Sequence, residues 1–199
     1  MRVKPILFNT EMVTAILSGA KTQTRRKIKS STGFYNIHMT KDGTPYEVEE
    51  ADEDGRGTDK LISPKVEIGD IMWVRETWQI TDFLHPSDDN YGYIYKASDN
   101  GMEWASNHDD WKWKPSIFMP KEACRIFLKV TRVRIERLVD ISISDIVQEG
   151  IPKGFDLAHR FRDLWTSING PESWNDKVWV FVYDFEVTDR PEGFINNSL

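Results

Sequence analysis

The sequence predicts an α+β protein in which a small, curved or barrel-like mixed sheet carries short helices at its ends. Three observations lead to this class: several separate strand patterns, three or four short helix patterns between them, and a C-terminal strand that is apolar on both faces. With 199 residues, the chain is long enough for a sizeable core. No internal repeat or linker divides it, so we expect a single domain over residues 1–199.

The first strand and the first helix lie within the first 20 residues. Residues 4–8 have a strand pattern, and Asn9 or Thr10 then caps a helix that continues to Ser18. Gly19 follows at the position where helices commonly end. The helix is amphipathic because its apolar side chains share one face. These side chains are Met12, Val13, Ile16 and Leu17.

Two segments interrupt the pattern and are interpreted as insertions. Residues 30–64 are polar, glycine-bearing and acidic, which predicts a long, mobile loop that holds a small hairpin. Residues 82–113 form the second insertion, in which Tyr91, Tyr93 and Tyr95 recur at the period of a strand.

The remaining elements lie outside the insertions. They are strands at residues 71–78, 124–138 and 178–187, a short helix that Ser142 or Ser144 caps and that ends at Gly150, and a helix at residues 156–168. Because the last strand is apolar on both faces, we expect it to be central and buried. The tail from about residue 189 is predicted to be flexible.

Charge is distributed unevenly along the chain. The net charge of −6 argues against a protein that covers duplex nucleic acid with a broad positive surface. Residues 47–60 carry seven acids against two cations, whereas residues 21–29 carry five cations and no acid. The positive run is therefore a local feature, suited to one anionic group or a short single strand.

The sequence carries no pattern for a membrane span, a disulfide or a metal site. The N-terminus lacks an apolar signal region, and no stretch approaches about 18 apolar residues, so we expect a cytoplasmic protein without membrane contact. Cys124 is the single cysteine, and the four histidines lack the spacing that brings two imidazoles to one metal. We therefore expect no metal and no cofactor.

Residues 21–29 are the strongest candidate for an active or binding site. The run combines amines, guanidinium groups and hydroxyls, and so offers a nucleophile, a base and anion donors within a short stretch. A helix end favours one or two cations but does not explain five. The segment from Gly19 to Thr22 lacks the earlier glycine of a phosphate-binding loop and follows a helix, which argues against a nucleoside triphosphatase.

Three blocks of the sequence occur in an order that is typical of one family. They are residues 19–26 after the first helix, Gly69-Asp70 before a strand, and residues 148–150 before a helix and an aromatic strand. In this order they resemble the ASCH superfamily, and residues 73–78, 113–120 and 164–170 resemble its longer phage- or prophage-type members. The resemblance implies a PUA-like β-barrel and covers most of the chain apart from the insertions and the tail.

The resemblance also implies a reaction. Some small bacterial ASCH members are amidohydrolases that remove the acetyl group from N4-acetylcytidine, with a lysine and a threonine of this motif and a later glutamate. Position by position, these residues correspond to Lys21, Thr24 and Glu149. Thr24 would attack the amide carbonyl, Lys21 would accept its proton if its pKa is lowered, and Glu149 would orient the lysine or handle the proton of the leaving amine. Arg25 and Arg26 would lower the lysine pKa and Glu149 would raise it, and the sequence leaves the balance open.

Five further residues are candidates for substrate binding. They are Thr22, Arg25, Arg26, Arg75 and Glu76. Arg75 and Glu76 are neighbours on a predicted strand, so their side chains point to opposite faces. Either one is an exposed charge and the other part of a buried ion pair, or one enters the binding site. In the second case Arg75 would bind phosphate or Glu76 would read a base amino group.

Three functions stay open from the sequence. The first is an amidohydrolase directed at a nucleoside or RNA, and the second is a non-catalytic module that binds a nucleotide or single-stranded RNA. The third is a phage accessory protein that acts through a protein partner, with the insertions as its interface. Purely structural roles for Lys21, Thr24 and Glu149, as a helix cap, a turn residue and an exposed acid, also stay open.

Overall fold

The structure is a computed structural model that describes residues 1–80, 92–98, 112–175 and 177–195. In these residues the protein is mixed α+β, with more strand than helix, which confirms the predicted class. The chain divides into two compact units. The first unit comprises Met1–Ala20, Gly69–Lys129 and Glu186–Leu199, and the second comprises Lys21–Ile68 and Val130–Phe185. The single domain stays a prediction.

Most described elements follow the predicted order, to which the structure adds a strand at Gln23–Lys27 within the basic run. In chain order they are β1 (Val3–Leu7), α1 (Thr10–Leu17), β2 (Gln23–Lys27), β3 (Phe34–Met39), β4 (Pro45–Ala51), β5 (Gly57–Leu61), β6 (Ile71–Arg75), β7 (Trp78–Ile80), β8 (Tyr93–Tyr95), β9 (Phe127–Arg137), α2 (Ile143–Gln148), α3 (Leu157–Asn169) and β10 (Trp179–Thr188). Strands β9 and β10 contribute residues to both units. Tyr91 and most of the predicted insertion at residues 82–113 lie outside the described residues.

The first unit is built on strand β6. β1 pairs with it in parallel, and the first residues of β9 pair with it antiparallel. Helix α1 begins as predicted, because the Asn9 side chain accepts a hydrogen bond from the Met12 amide at 2.8 Å. Its buried side chains are Val13 and Ile16, and Gly19 follows at φ 74°.

The C-terminal segment of the first unit contributes a buried aromatic ring. Phe194 is buried, with its ring centroid 4.9 Å from that of Phe127 and 5.8 Å from that of Trp73. Both ring pairs meet edge to face, an arrangement that stabilises aromatic clusters. Flexibility of the tail from about residue 189 stays a prediction. Residues 196–199 lie outside the described residues.

The core of the second unit lies against strand β10. β10 pairs antiparallel with β2, and β9 is its other neighbour. Val180 and Val182 are fully buried in a cluster with Phe161 and Trp165 of α3, and Phe181 is buried on the opposite face. The prediction of a central strand with two apolar faces is therefore confirmed.

The predicted insertion at residues 30–64 holds more structure than a loop with a small hairpin. Strands β3, β4 and β5 form a three-stranded antiparallel sheet with β4 at its centre. Val48 and Ala51 of β4 are buried, and so is Glu50, whose carboxylate accepts from Ser31 and Lys60. This sheet was not predicted because the segment is acidic. A pattern of apolar residues assigns a carboxylate to the surface, even where it is buried as Glu50 is.

Neither unit holds a closed barrel in the part of the chain that the structure describes. The PUA-like barrel therefore stays a prediction. Among the same residues, none of the helices has the length and apolar character that a membrane crossing needs.

Candidate functional site

The first residues of the basic run lie beside the end of helix α2. Lys21 and Glu149 form an isolated antiparallel bridge, and the Thr22 amide donates to the Gln148 carbonyl at 2.9 Å. Strand β2 starts directly afterwards, at Gln23. The backbone thus brings the lysine of the motif to the glutamate that lies 128 residues further along the chain.

The position of Glu149 follows from how α2 begins and ends. The Ser142 side chain caps the helix by accepting from the Asp145 amide at 3.1 Å, and Ile146 anchors it in the core. Glu149 directly follows the last helical residue, Gln148, and Gly150 turns the chain away at φ 91°. Glycine adopts this left-handed backbone conformation without strain, so it ends the helix here and fixes the position of the Glu149 backbone.

The Lys21 amine is buried and hydrogen-bonded in every direction it can donate. Nζ lies 2.8 Å from each of three acceptors: the Glu149 Oε2 atom, the Glu149 carbonyl oxygen and the Gln23 carbonyl oxygen. An ammonium group has three N–H donors, so these contacts match its full capacity. The side chain has no exposed surface, and that of Glu149 is only 5% exposed. The two residues form a buried ion pair.

The surroundings lower the pKa of Lys21. Burial is the largest cause, because it penalises the charged amine. The Glu149 carboxylate opposes this shift, and the charges of Arg26 and Arg25 reinforce it. The sequence leaves the balance between glutamate and arginines open, and the structure adds burial as the effect that decides it. A lysine with a lowered pKa can exchange a proton with a substrate more readily than an exposed one.

Arg25 holds the other oxygen of the same carboxylate. Its Nη1 atom donates to Glu149 Oε1 at 3.1 Å, and its Nη2 atom donates to Glu136 at 2.9 Å and lies 3.4 Å from Asp145. The Arg25 side chain is buried, and its Nε–H has no hydrogen-bond partner among the described residues. The guanidinium therefore fixes Glu149 from the side opposite Lys21. A direct contact of Arg25 with substrate stays a prediction.

A second arginine, Arg134 of β9, extends this group of charges. It donates to both Asp184 oxygens at 2.8 and 2.9 Å and to Asp145 at 3.2 Å, and it also bonds Glu136. Gln23 lies within the group, and its amide nitrogen donates to Asp184 at 2.7 Å and to Asp145 at 3.0 Å. The result is one connected, part-buried polar network across β2, β9, β10 and α2.

Asp145 is the carboxylate that several members of the network share. Burial raises its pKa, but hydrogen bonds from Ser142 and Gln23 and the charges of Arg25 and Arg134 lower it further, and the net shift is downward. Asp145 is therefore ionised at neutral pH, and its charge helps to balance the two arginines.

Most of this network was not predicted from the sequence. The missed residues are Gln23, Arg134, Glu136, Asp145 and Asp184. Two signals were available. Gln23 is two residues before Arg25, which puts both side chains on one face of a strand, and Asp145 is four residues before Glu149 on one helix face. Glu136 and Asp184 lie far away in sequence, and only strand pairing brings them near.

Thr24 and Arg26 occupy the other face of β2. Side chains alternate along a strand, so both point away from the face that carries Gln23 and Arg25. Thr24 is only 1% exposed and pairs with Tyr183 of β10. Arg26 is half-buried, and burial lowers its pKa against the raising effect of Glu149.

Thr22, the remaining candidate of the motif, is exposed, while its backbone is held on both sides. Its amide donates to Gln148, and its carbonyl accepts from the Phe185 amide at 2.9 Å. The structure thus places all five motif candidates in the second unit.

Arg75 and Glu76 belong to the first unit and have protein partners there. Glu76 is 1% exposed and forms a two-pronged ion pair with Arg125, with both N–O distances at 2.9 Å. Arg75 donates to the Met119 carbonyl at 3.1 Å and to the Ile117 carbonyl. Of the two alternatives that the sequence left open for Glu76, the structure shows the buried ion pair. Substrate binding by either residue stays a prediction.

The described residues hold no group of three or more His, Cys, Asp or Glu side chains that is arranged to bind a metal ion. The carboxylates of the polar network instead accept from Gln23, Arg25 and Arg134. His38 pairs with Glu49 at 3.1 Å in the three-stranded sheet.

The comparisons with known proteins give one structural similarity. No protein-family model and no curated protein matches the chain. The structure is similar to the crystal structure of an ASCH domain from Lactobacillus crispatus JV V101, with 12% identity and a TM-score of 0.42, over 94% of this chain and 79% of that one. A similarity of this size leaves membership of that family, and its fold, as a proposal.

Proposed function

We propose that the protein is an amidohydrolase of the ASCH type with a PUA-like fold, which removes an acyl group from the exocyclic amine of a modified nucleoside such as N4-acetylcytidine. The observation that carries the proposal is the buried Lys21 amine, 2.8 Å from the Glu149 carboxylate and with a lowered pKa. A buried amine with a lowered pKa, held by a carboxylate, is better suited to take up and return a proton than an exposed lysine. The proposal keeps the predicted cytoplasmic location.

In the proposed reaction Thr24 is the nucleophile. The ammonium of the resting ion pair first gives up a proton to solvent, which its lowered pKa favours. The Thr24 hydroxyl oxygen then attacks the amide carbonyl carbon, and its proton passes to the neutral Lys21 amine. The C–N bond then breaks, and the Lys21 ammonium returns the proton to the departing amine, which leaves the acyl group as an ester on Thr24. Water attacks this ester with Lys21 again as the base, which releases the carboxylic acid and restores the hydroxyl. Glu149 holds the lysine in place throughout.

The burial of Thr24 adds a step to this scheme. Because the residue is 1% exposed, a substrate carbonyl reaches its hydroxyl only after neighbouring side chains move. Motions of this kind gate many enzymes and occur in microseconds to milliseconds. We therefore expect an opening step before acyl transfer.

The charges around the site support an uncharged nucleoside over a phosphate-bearing ligand. Of the five cations in residues 21–29, Lys21 and Arg25 are buried and paired with the carboxylates of Glu149, Glu136 and Asp145. A paired guanidinium has little remaining attraction for a phosphate. The positive run in the sequence therefore overstates the positive charge that a ligand meets.

Incubation of the purified protein with N4-acetylcytidine tests the proposal, with cytidine and acetate followed by chromatography. We expect turnover that falls by at least about 100-fold in Lys21→Ala and in Thr24→Val. Lys29→Ala, at an exposed position of the same run, is the matched control and should keep full turnover. Absence of turnover in the wild-type protein, or unchanged turnover in Lys21→Ala, would overturn the mechanism.

The same preparation distinguishes the two alternative functions. A non-catalytic module would bind single-stranded RNA in a salt-sensitive manner, with weaker binding in Arg26→Ala and no turnover of any acylated nucleoside. A protein that acts through a protein partner would bind neither RNA nor nucleoside, and a partner would be retained on the immobilised protein.

A further inference from the structure

Gln23 is a buried polar residue whose side-chain amide is hydrogen-bonded at both its oxygen and its nitrogen. It is 1% exposed, and its side-chain oxygen accepts a hydrogen bond from Arg25 Nη1. Its amide nitrogen donates to Asp184 at 2.7 Å, to Asp145 at 3.0 Å and to Gln148 at 3.2 Å. The orientation of the amide is fixed by chemistry, because an arginine N–H can meet only the oxygen, and ionised carboxylates can meet only the nitrogen.

One line of contacts runs from Gln23 through Arg25 to the buried pair. Arg25 Nη1 contacts both the Gln23 oxygen and Glu149 Oε1, so the same nitrogen links the amide to the carboxylate. Glu149 Oε2 then meets the Lys21 amine at 2.8 Å. A shift of the Gln23 side chain therefore changes the hydrogen bonding of the nitrogen that holds Glu149.

A second line of contacts runs through helix α2. Gln148 is the last residue of this helix, Asp145 lies in it, and Glu149 directly follows it. The Gln23 amide nitrogen contacts both helical side chains, which ties the final turn of α2 to strand β2. The two lines converge on Glu149 and leave the Lys21 contacts with the main chain unchanged, because the Gln23 carbonyl is present whatever the side chain.

We infer that Gln23 is a positioning residue for the Lys21–Glu149 pair: its amide orients Arg25 and the end of helix α2 so that Glu149 meets the lysine. The Gln23 side chain bonds Arg25, Asp145, Asp184 and Gln148, so it acts on the pair through these residues. The part of the inference that concerns turnover rests on the proposed amidohydrolase function. The part that concerns the lysine does not.

Two substitutions separate positioning from a merely structural role. Gln23→Met removes both hydrogen-bonding atoms at similar size and without a charge. Gln23→Glu keeps an oxygen for Arg25 but turns the other oxygen towards the carboxylates of Asp145 and Asp184. The ionised glutamate repels these groups, whereas the protonated acid can donate to one of them as the amide does. Gln79→Glu makes the same chemical change at a half-buried position of the first unit and is the matched control.

The first readout needs no substrate. The titration of the Lys21 side chain is followed by NMR in the wild-type protein and in Gln23→Met. Because Glu149 is the group that raises the lysine pKa, a displaced Glu149 lets that pKa fall further, and we expect this downward shift. An unchanged Lys21 titration in a folded Gln23→Met variant would overturn the inference and leave Gln23 a structural residue.

The second readout uses turnover of N4-acetylcytidine across pH. At neutral pH we expect kcat of Gln23→Glu to be lower than wild type by about 10- to 100-fold with KM unchanged, and to recover as pH falls and the new acid is protonated. Gln79→Glu should follow the wild-type profile. A Gln23→Glu profile parallel to wild type would count against positioning. If the wild-type protein has no turnover, the proposed function fails, and the lysine titration still decides the inference.

Discussion

Replacement of Lys21 by methionine and of Glu149 by leucine, singly and together, tests the buried pair quantitatively. At 2.8 Å and an effective dielectric constant of about 20, the attraction between the two charges is about 6 kcal/mol. The loss of hydration of two buried ions offsets several kcal/mol for each of them. The pair as a whole therefore adds little net stability, while removal of Glu149 alone leaves buried cations without this carboxylate.

The two single substitutions should differ, because Glu149 has two cationic partners. Lys21→Met leaves Glu149 paired with Arg25 at 3.1 Å, so the main loss is the two carbonyl acceptors that the amine satisfied, about 1–3 kcal/mol. Glu149→Leu leaves two buried cations without this carboxylate and should destabilise by about 3–5 kcal/mol. The double variant should be no less stable than Glu149→Leu alone, because it removes the stranded ammonium.

Urea unfolding followed by tryptophan fluorescence gives these free energies of unfolding. Lys29→Met is the control, since this lysine is exposed and its loss should change stability by less than about 0.5 kcal/mol. Additive effects in the double variant, or a larger loss in Lys21→Met than in Glu149→Leu, would refute the reasoning, because either result means that the carboxylate does not hold both cations.

Three further predictions concern other parts of the chain. Hydrogen bonds from Lys60 and Ser31 lower the pKa of Glu50 from 4.5 to about 2, so the stability that its ionised form contributes is full above pH 4.5 and is lost as pH falls to about 2. The difference in free energy of unfolding between wild type and Glu50→Gln, measured by acid unfolding, should therefore vanish over that range. Glu76→Leu should destabilise by about 3–5 kcal/mol in chemical unfolding, because it strands Arg125 in a part-buried position. Burial raises the pKa of Cys124 to about 11, so a thiol reagent at pH 8 should label it only after denaturation.

The sequence predicts the regular elements well where their signals are local. The caps, predicted at Asn9 or Thr10 and at Ser142 or Ser144, and the glycine that ends each helix are all short-range features. The structure has both helices, capped by Asn9 and Ser142. The two apolar faces of β10 likewise need only a strand pattern. Strand β2 was harder to find, because its buried positions carry Gln23 and Arg25, which a hydrophobicity pattern reads as surface.

The candidate site likewise has a part that the sequence predicts and a part that only the structure shows. The motif led to Lys21 and, through the resemblance, to Glu149, and the structure brings the two together. Burial of the lysine was not predictable, since five neighbouring cations indicate a solvated segment. The hydrogen-bond and ion-pair partners of the buried charges come from β9, β10 and α2. Spacing in the sequence does not predict such contacts, because these residues meet only through tertiary structure.

Strand β2 poses a physical question that stability alone does not answer. Its inner face holds glutamine and arginine where apolar residues of similar volume would pack, and buried ion pairs of this kind are often neutral or unfavourable for stability compared with such residues. Positions that break the local pattern without an evident gain in stability are those where function is expected. If Gln23 serves only the fold, Gln23→Leu, which leaves the charge of Arg25 in place, should change stability and leave the Lys21 titration unchanged. If Gln23 serves the lysine, the same variant should lower the Lys21 pKa, because the Arg25 nitrogen that holds Glu149 loses its contact with the amide.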